Sequence, residues 1–150
     1  MIIVALDIGS TIGWAVIDAA REKVVHHGQH GYFDPWECVH DWAFSDDGEP
    51  DAFVMARPTL VKWRGREYGT HAVAKHAYRC GQWEGYLMGR GHTVHMISEG
   101  NKPKAKRLVE LCALTGTSAG DWKEHEADAA CLGLKWARSQ VWKATATRSR

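Results

Sequence analysis

Ile2-Ile3-Val4-Ala5-Leu6-Asp7-Ile8-Gly9-Ser10-Thr11-Ile12-Gly13-Trp14-Ala15-Val16-Ile17-Asp18 is the stretch whose reading decides the fold. Two β-rich apolar runs, Ile2 to Leu6 and Trp14 to Ile17, flank a short Gly/Ser/Thr segment, and that pattern predicts a hairpin. The first run is apolar at five successive positions, so it reads as a strand buried on both faces. Asp7 follows without a break. A carboxylate at the end of a buried central strand is costly unless it serves a cation, which makes Asp7 a candidate metal ligand. The alternative is that Asp7 only caps the turn from Gly9 to Gly13, a common use of Asp.

Around this stretch, 150 residues at 45% hydrophobic content suffice for one domain with a single core. The reading places that domain at 1–142 and a basic, disordered tail at 143–150. No apolar run approaches the roughly 20 residues that span a bilayer, and the N-terminus lacks signal-peptide features. A soluble, cytoplasmic protein with no membrane partner is expected. Cys38, Cys80, Cys112 and Cys131 are far apart without a CxxC pair, and read as reduced core thiols.

The formal net charge of +1 hides a division. Residues 1–60 carry 3 basic and 10 acidic side chains, and residues 61–150 carry 16 and 8. A polyanion-binding face beside an acidic cation site would produce this asymmetry, and so would an ordinary solvated surface.

Downstream, Lys23 to Phe33 reads as a third antiparallel strand. Its His26, His27 and His30 read as surface residues, because 26 and 27 point to opposite faces. Asp34 and Pro35 open a helix through Ala43, and Ser45 to Asp51 is an acidic connection without a calcium-loop pattern. Ala52 to Ala56 is a second wholly apolar strand, expected beside the first in mid-sheet. Lys62, Trp63, Arg64, Arg66 and Tyr68 set cations among aromatics, which suits phosphate contact with base stacking; Trp63 and Tyr68 could instead pack beneath a solvated loop.

From Tyr68 to Arg90 the period turns helical, and Ala77, Gly81, Gly85 and Gly89 form a row at steps of four. Each glycine costs a helix about 1 kcal/mol relative to alanine. Close approach of another backbone, the sheet beneath or a partner subunit, would compensate. A short strand, Thr93 to Ile97, leads to Lys102, Lys104, Lys106 and Arg107 at the start of a helix ending at Gly116, where cations and exposed backbone N–H groups favour anions. Asp121 to Glu124 has the form of a capping box opening the last helix, on which His125 and Asp128 share a face as further candidate metal ligands.

Three strands in hairpin order, a helix, a buried strand, a long helix, a strand and closing helices describe an α/β domain with a ribonuclease H-like mixed five-stranded sheet, its first three strands antiparallel. Ala5 to Val16 resembles the first strand and turn of the RuvC-type Holliday-junction resolvases. His125-Glu126-Ala127-Asp128-Ala129-Ala130 resembles their last catalytic helix, and the Ala77 to Gly89 row their central helix. Sugar kinases and actin-like ATPases use a turn similar to Asp7 to Thr11, but need two such domains. The resemblance implies a bacterial or phage homodimeric endonuclease that resolves four-way DNA junctions by paired symmetric nicks. It also implies two Mg²⁺ ions, with Mn²⁺ able to substitute, held by Asp7, His125, Asp128 and a glutamate ending the fourth strand. Ala56 stands where that glutamate is expected, just before Arg57-Pro58. The loss is natural or engineered, and the presence of the other ligands favours engineering. The implied state is a catalytically impaired enzyme, the alternative a naturally inactive branched-DNA-binding protein.

Overall fold

The computed structural model describes residues 1–32, 49–57, 62–63, 66–67, 70–97 and 104–148. Strands β1 (Ile2–Ile8), β2 (Thr11–Asp18) and β3 (Lys23–Gly31) form an antiparallel meander. β4 (Ala52–Ala56) adds parallel to β1, a small separate ribbon is made by β5 (Lys62–Trp63) and β6 (Arg66–Glu67), and β7 (Val94–Ile97) adds parallel to β4. The main sheet therefore runs β3-β2-β1-β4-β7, the mixed five-stranded arrangement expected from the sequence. Helices α1 (Thr70–Gly89), α2 (Lys104–Thr115) and α3 (Glu124–Arg148) flank it.

β4 and, apart from Asp7, β1 are apolar at every position because both faces are covered. On one face Val4, Leu6, Ile8, Phe53 and Met55 pack with Cys80, Trp83 and Leu87 of α1. On the other, Ile3, Ala5, Ala15, Ile17, Val54 and Ala56 pack with Leu111 of α2 and with Ala129, Ala130, Leu134 and Ala137 of α3. Small residues on this second face let α3 lie close. A Cβ on Gly133 would strike Ile17 and Ala5, and one on Gly13 would strike the backbone of His125 and Glu126.

Helix ends follow local chemistry. Gly91 and Gly116 take φ values of +89° and +69°, and their N–H groups bond the carbonyls of Met88 and Cys112. The capping box differs from its expected place. Asp121 accepts from the N–H and hydroxyl of Ser118, closing a 3₁₀ turn at Ala119–Asp121, while Glu126 Oε1 accepts the Lys123 N–H at 2.6 Å and starts α3. Asp121 is thus spent on the preceding turn, and the residue three beyond Lys123 takes the helix-start role. α3 also continues to Arg148 where a disordered tail is expected from Lys143.

The glycine row has no sheet beneath it. Ala77, Gly81, Gly85 and Gly89 are exposed, and a Cβ on Gly81, Gly85 or Gly89 would meet nothing within 4 Å. Cys80, Cys112 and Cys131 are not in disulfides, Cys80 being buried and the other two half-buried. No helix among the described residues is long and apolar enough to cross a membrane. The helix expected from Asp34 to Ala43, most of the acidic connection, and Cys38 lie outside the described residues.

Candidate metal and nucleic-acid site

Strand register lines the site up across the sheet. Asp7 pairs with Gly13, and Gly13 pairs with Gln29. On the other side of β1, Leu6 pairs with Met55, so the next residues along, Asp7 and Ala56, lie level with each other at the carboxyl ends of two parallel strands. Parallel neighbours are about 4.8 Å apart. Side chains alternate along a strand, so Asp7 shares the face of Ile3 and Ala5, and Ala56 belongs to that same core against α2 and α3.

Gly13 sits in the middle of the row, and its bare backbone admits the first turn of α3. His125 is set down directly over it. From there His125 Nδ1 lies 2.8 Å from Asp7 Oδ2, while its backbone N–H donates to Gln29 Oε1 at 3.3 Å. Asp7 and His125 therefore meet although 118 residues separate them. The adjacent Glu126 is 5% exposed, with Oε2 3.5 Å from His27 Nδ1; the His27 ring in turn stacks on Trp122 at 4.1 Å between centroids. All three β3 histidines are exposed, as expected, and His27 in addition braces the start of α3 through Glu126 and Trp122.

The turn after Asp7 is braced from the opposite face. Arg79 Nη1 of α1 donates to the Gly9 carbonyl at 2.9 Å, and its guanidinium lies 4.1 Å from the centre of the Tyr32 ring. Tyr32 donates from its hydroxyl to Gln82 Oε1 at 2.8 Å. Burial, with the charges of Asp7 and then Glu84 adding to it, pushes the neighbouring Cys80 thiol up to about 12.

Asp128, 8% exposed, lies one turn beyond His125 and faces α2, where Arg107 Nη2 is 3.5 Å from its Oδ1. Arg107 is accordingly turned inward, its side chain 13% exposed, rather than displayed to a phosphate, whereas Lys106 is exposed. Of the other nucleic-acid-binding candidates, Lys62, Trp63 and Arg66 lie on the β5–β6 ribbon and Lys104 begins α2; Arg64, Tyr68 and Lys102 lie outside the described residues.

The donor set can be tested against a pair of Mg²⁺ ions. Such a pair, roughly 3.5–4 Å apart, needs a carboxylate shared between the ions. At the position level with Asp7 there is a buried methyl, and each remaining carboxylate already has a nitrogen partner, His125 for Asp7 and Arg107 for Asp128. Among the described residues no group of three His, Cys, Asp or Glu side chains converges to hold a metal. The residues present do not fit a two-ion centre. Gln29 and Arg79, which fix the two sides of this arrangement, were not singled out from sequence. Only the strand register, with Gln29 beside Gly13 and Gly13 beside Asp7, could have pointed to the first.

No protein-family model matches the sequence, and no curated protein matches it. Solved structures do. Thermus thermophilus RuvC in complex with a Holliday junction substrate aligns with a TM-score of 0.63 at 15% identity, covering 89% of this chain and 90% of that one. A second Thermus thermophilus RuvC structure gives 0.61 at 14% identity, over 89% and 92% of the two chains. The fowlpox virus Holliday junction resolvase gives 0.55 at 16% identity, over 93% and 99%. The mixed five-stranded sheet with its flanking helices matches these neighbours: the chain has a RuvC-like fold of the ribonuclease H-like type.

Proposed function

We propose that this chain is a structure-selective endonuclease of four-way DNA junctions in a catalytically impaired form, which binds branched DNA while Ala56 withholds a carboxylate that cleavage requires. The observation that carries the reading is the row across the sheet. Asp7 and Ala56 end adjacent parallel strands on the face that receives His125, so a glutamate at 56 would project beside Asp7. The fold shared with a RuvC bound to a Holliday junction supports the choice of substrate. The cations of β5, β6 and the start of α2 supply phosphate contacts, and the protein works in the cytoplasm of a bacterial or phage-infected cell.

The chain acts as a homodimer, matching a two-fold substrate with a two-fold protein. The exposed row Ala77, Gly81, Gly85 and Gly89, with Tyr78 and Met88 67% and 58% exposed on the same helix, supports α1 as the interface. A second reading, a naturally inactive branched-DNA-binding protein, is favoured by one observation: both site carboxylates are already partnered by protein nitrogens. A nicking assay on a synthetic four-way junction with Mg²⁺ or Mn²⁺ decides, using this chain and its Ala56→Glu form. Nicking by the Ala56→Glu form alone supports the impaired-enzyme reading, and intact junctions bound by both proteins support the second.

A further inference from the structure

Between α2 and α3 lies a cavity of about 330 Å³ that shares Arg107 and Asp128 with the site above and whose apolar part the proposed function leaves unused. Its apolar walls are Leu108, Trp122, Ala127 and Cys131, and its polar groups are Arg107, Glu124 and Asp128. The volume is at the small end of ligand pockets, which span roughly 300–1,000 Å³, and suits one planar ring system rather than a folded oligonucleotide. Trp122 is a fixed wall. Its indole N–H donates to Thr117 Oγ1 at 2.7 Å, and the His27 ring is stacked against it.

We propose that this cavity receives one unpaired nucleobase bearing an exocyclic amine, drawn from the branch point of the bound junction. The inference rests on the junction-binding reading and adds a base preference to it. Asp128 belongs both to the cavity and to the site, so a strand whose backbone crosses the site carries its bases past the cavity mouth. Unpairing costs least where pairing is already interrupted, as at a branch point. An aromatic wall accepts the face of any base. Arg107 is held against Asp128, so the base preference falls to Glu124, whose carboxylate accepts hydrogen bonds and donates none and so favours the amine of cytosine or adenine over the O4 of thymine. Exposed Lys106 on α2 is available to the adjoining phosphate.

The test fills the cavity and reads junction affinity. Leu108→Phe and Cys131→Phe, made separately and checked for unchanged circular dichroism and melting, should each bind four-way junctions about ten-fold more weakly and linear duplex equally well. On the unmodified chain, 2-aminopurine placed in turn at each nucleotide around the branch point should report one position whose fluorescence changes far more than the others. Adenine or cytosine there should outcompete thymine, and Glu124→Gln should remove that preference. Junctions bound as tightly by both Phe variants, or an aminopurine scan with no singular position, overturns the proposal while junction binding stands. If the Phe variants misfold, the scan alone decides. An unmodified chain that binds no junction overturns the underlying reading and this inference together.

Discussion

Position 56 carries a methyl group, 4% exposed, level with the carboxylate of Asp7. Ala56→Glu is expected to give Mg²⁺-dependent nicking of junctions, raised by orders of magnitude over this chain, and Asp7→Asn or Asp128→Asn placed on top of it should abolish the gain, since an amide lacks the charge that holds a hard cation. Gel analysis of cleaved strands checks both. An Ala56→Glu protein that folds and binds junctions, yet leaves them whole in Mg²⁺ and Mn²⁺, would sink the idea. Cys80 gives a pH prediction. Its thiol ionises near 9.0 in an unfolded chain and near 12 in the fold, where burial chiefly disfavours the thiolate. Above pH 9 the unfolded state therefore releases a proton that the folded state retains, and this group's contribution to stability falls by up to about 1.4 kcal/mol per pH unit. Denaturant titrations from pH 8 to 10.5 should show a shallower decline in Cys80→Ala. At this scale the turn of Asp128 toward Arg107, while His125 meets Asp7, departs from the shared face expected of the pair; the anomalous position of Asp7, a charge ending an apolar run, was legible. Gln29 was not. A glutamine on a polar strand breaks no pattern, and its role exists only through its alignment with Gly13.

Among the elements, α3 depends on a glycine in a different part of the chain. Gly13→Ala would drive a methyl into the carbonyl of His125 and the N–H of Glu126, and since both are backbone, no rotamer change relieves the clash. A loss of about 1–3 kcal/mol is expected, from overpacking. Junction-independent readouts, thermal melting and the imidazole resonances of His125, should both shift. By contrast, Gly85→Leu places its side chain in open space within one chain, so the monomer should be stabilised by roughly 1 kcal/mol of helix propensity while self-association weakens. Light scattering at micromolar concentration should find a dimer for the parent and a smaller species for the variant; a monomeric parent would remove the dimer from the proposal. β1 and β4 were legible as elements because the run from Ile2 to Leu6 and the whole of β4 are apolar, which a strand covered on two faces requires. The α3 start was misplaced because Asp121 and Lys123 compete for it, and only the folded turn shows that Asp121 is held by Ser118.

Across the whole molecule, the division into an acidic first part and a basic remainder predicts the response to salt. Replacing Lys102, Lys104 and Lys106 together by Ala should flatten the slope of log affinity against log salt by up to about 2.7, at roughly 0.9 per phosphate contact. An unchanged slope puts the DNA on another surface. Four-way junctions should also outcompete linear duplex of equal length. The order of the sheet was legible from hairpin spacing and from the two apolar strands. The inward turn of Arg107 was not, because composition counts a cation without telling which way it points. Finally, the contact between Asp7 and His125 joins residues 118 positions apart, and it has a consequence for how the protein comes into being. The β1–β2 hairpin needs only local closure and can form early, whereas docking of α3 closes a loop of most of the chain and belongs to the slow, long-range part of folding. During synthesis the N-terminal strands leave the ribosome with Asp7 uncovered, and its contact with His125 does not exist until the last helix has emerged. A nascent chain halted before Glu124 should therefore hold the hairpin but not the site.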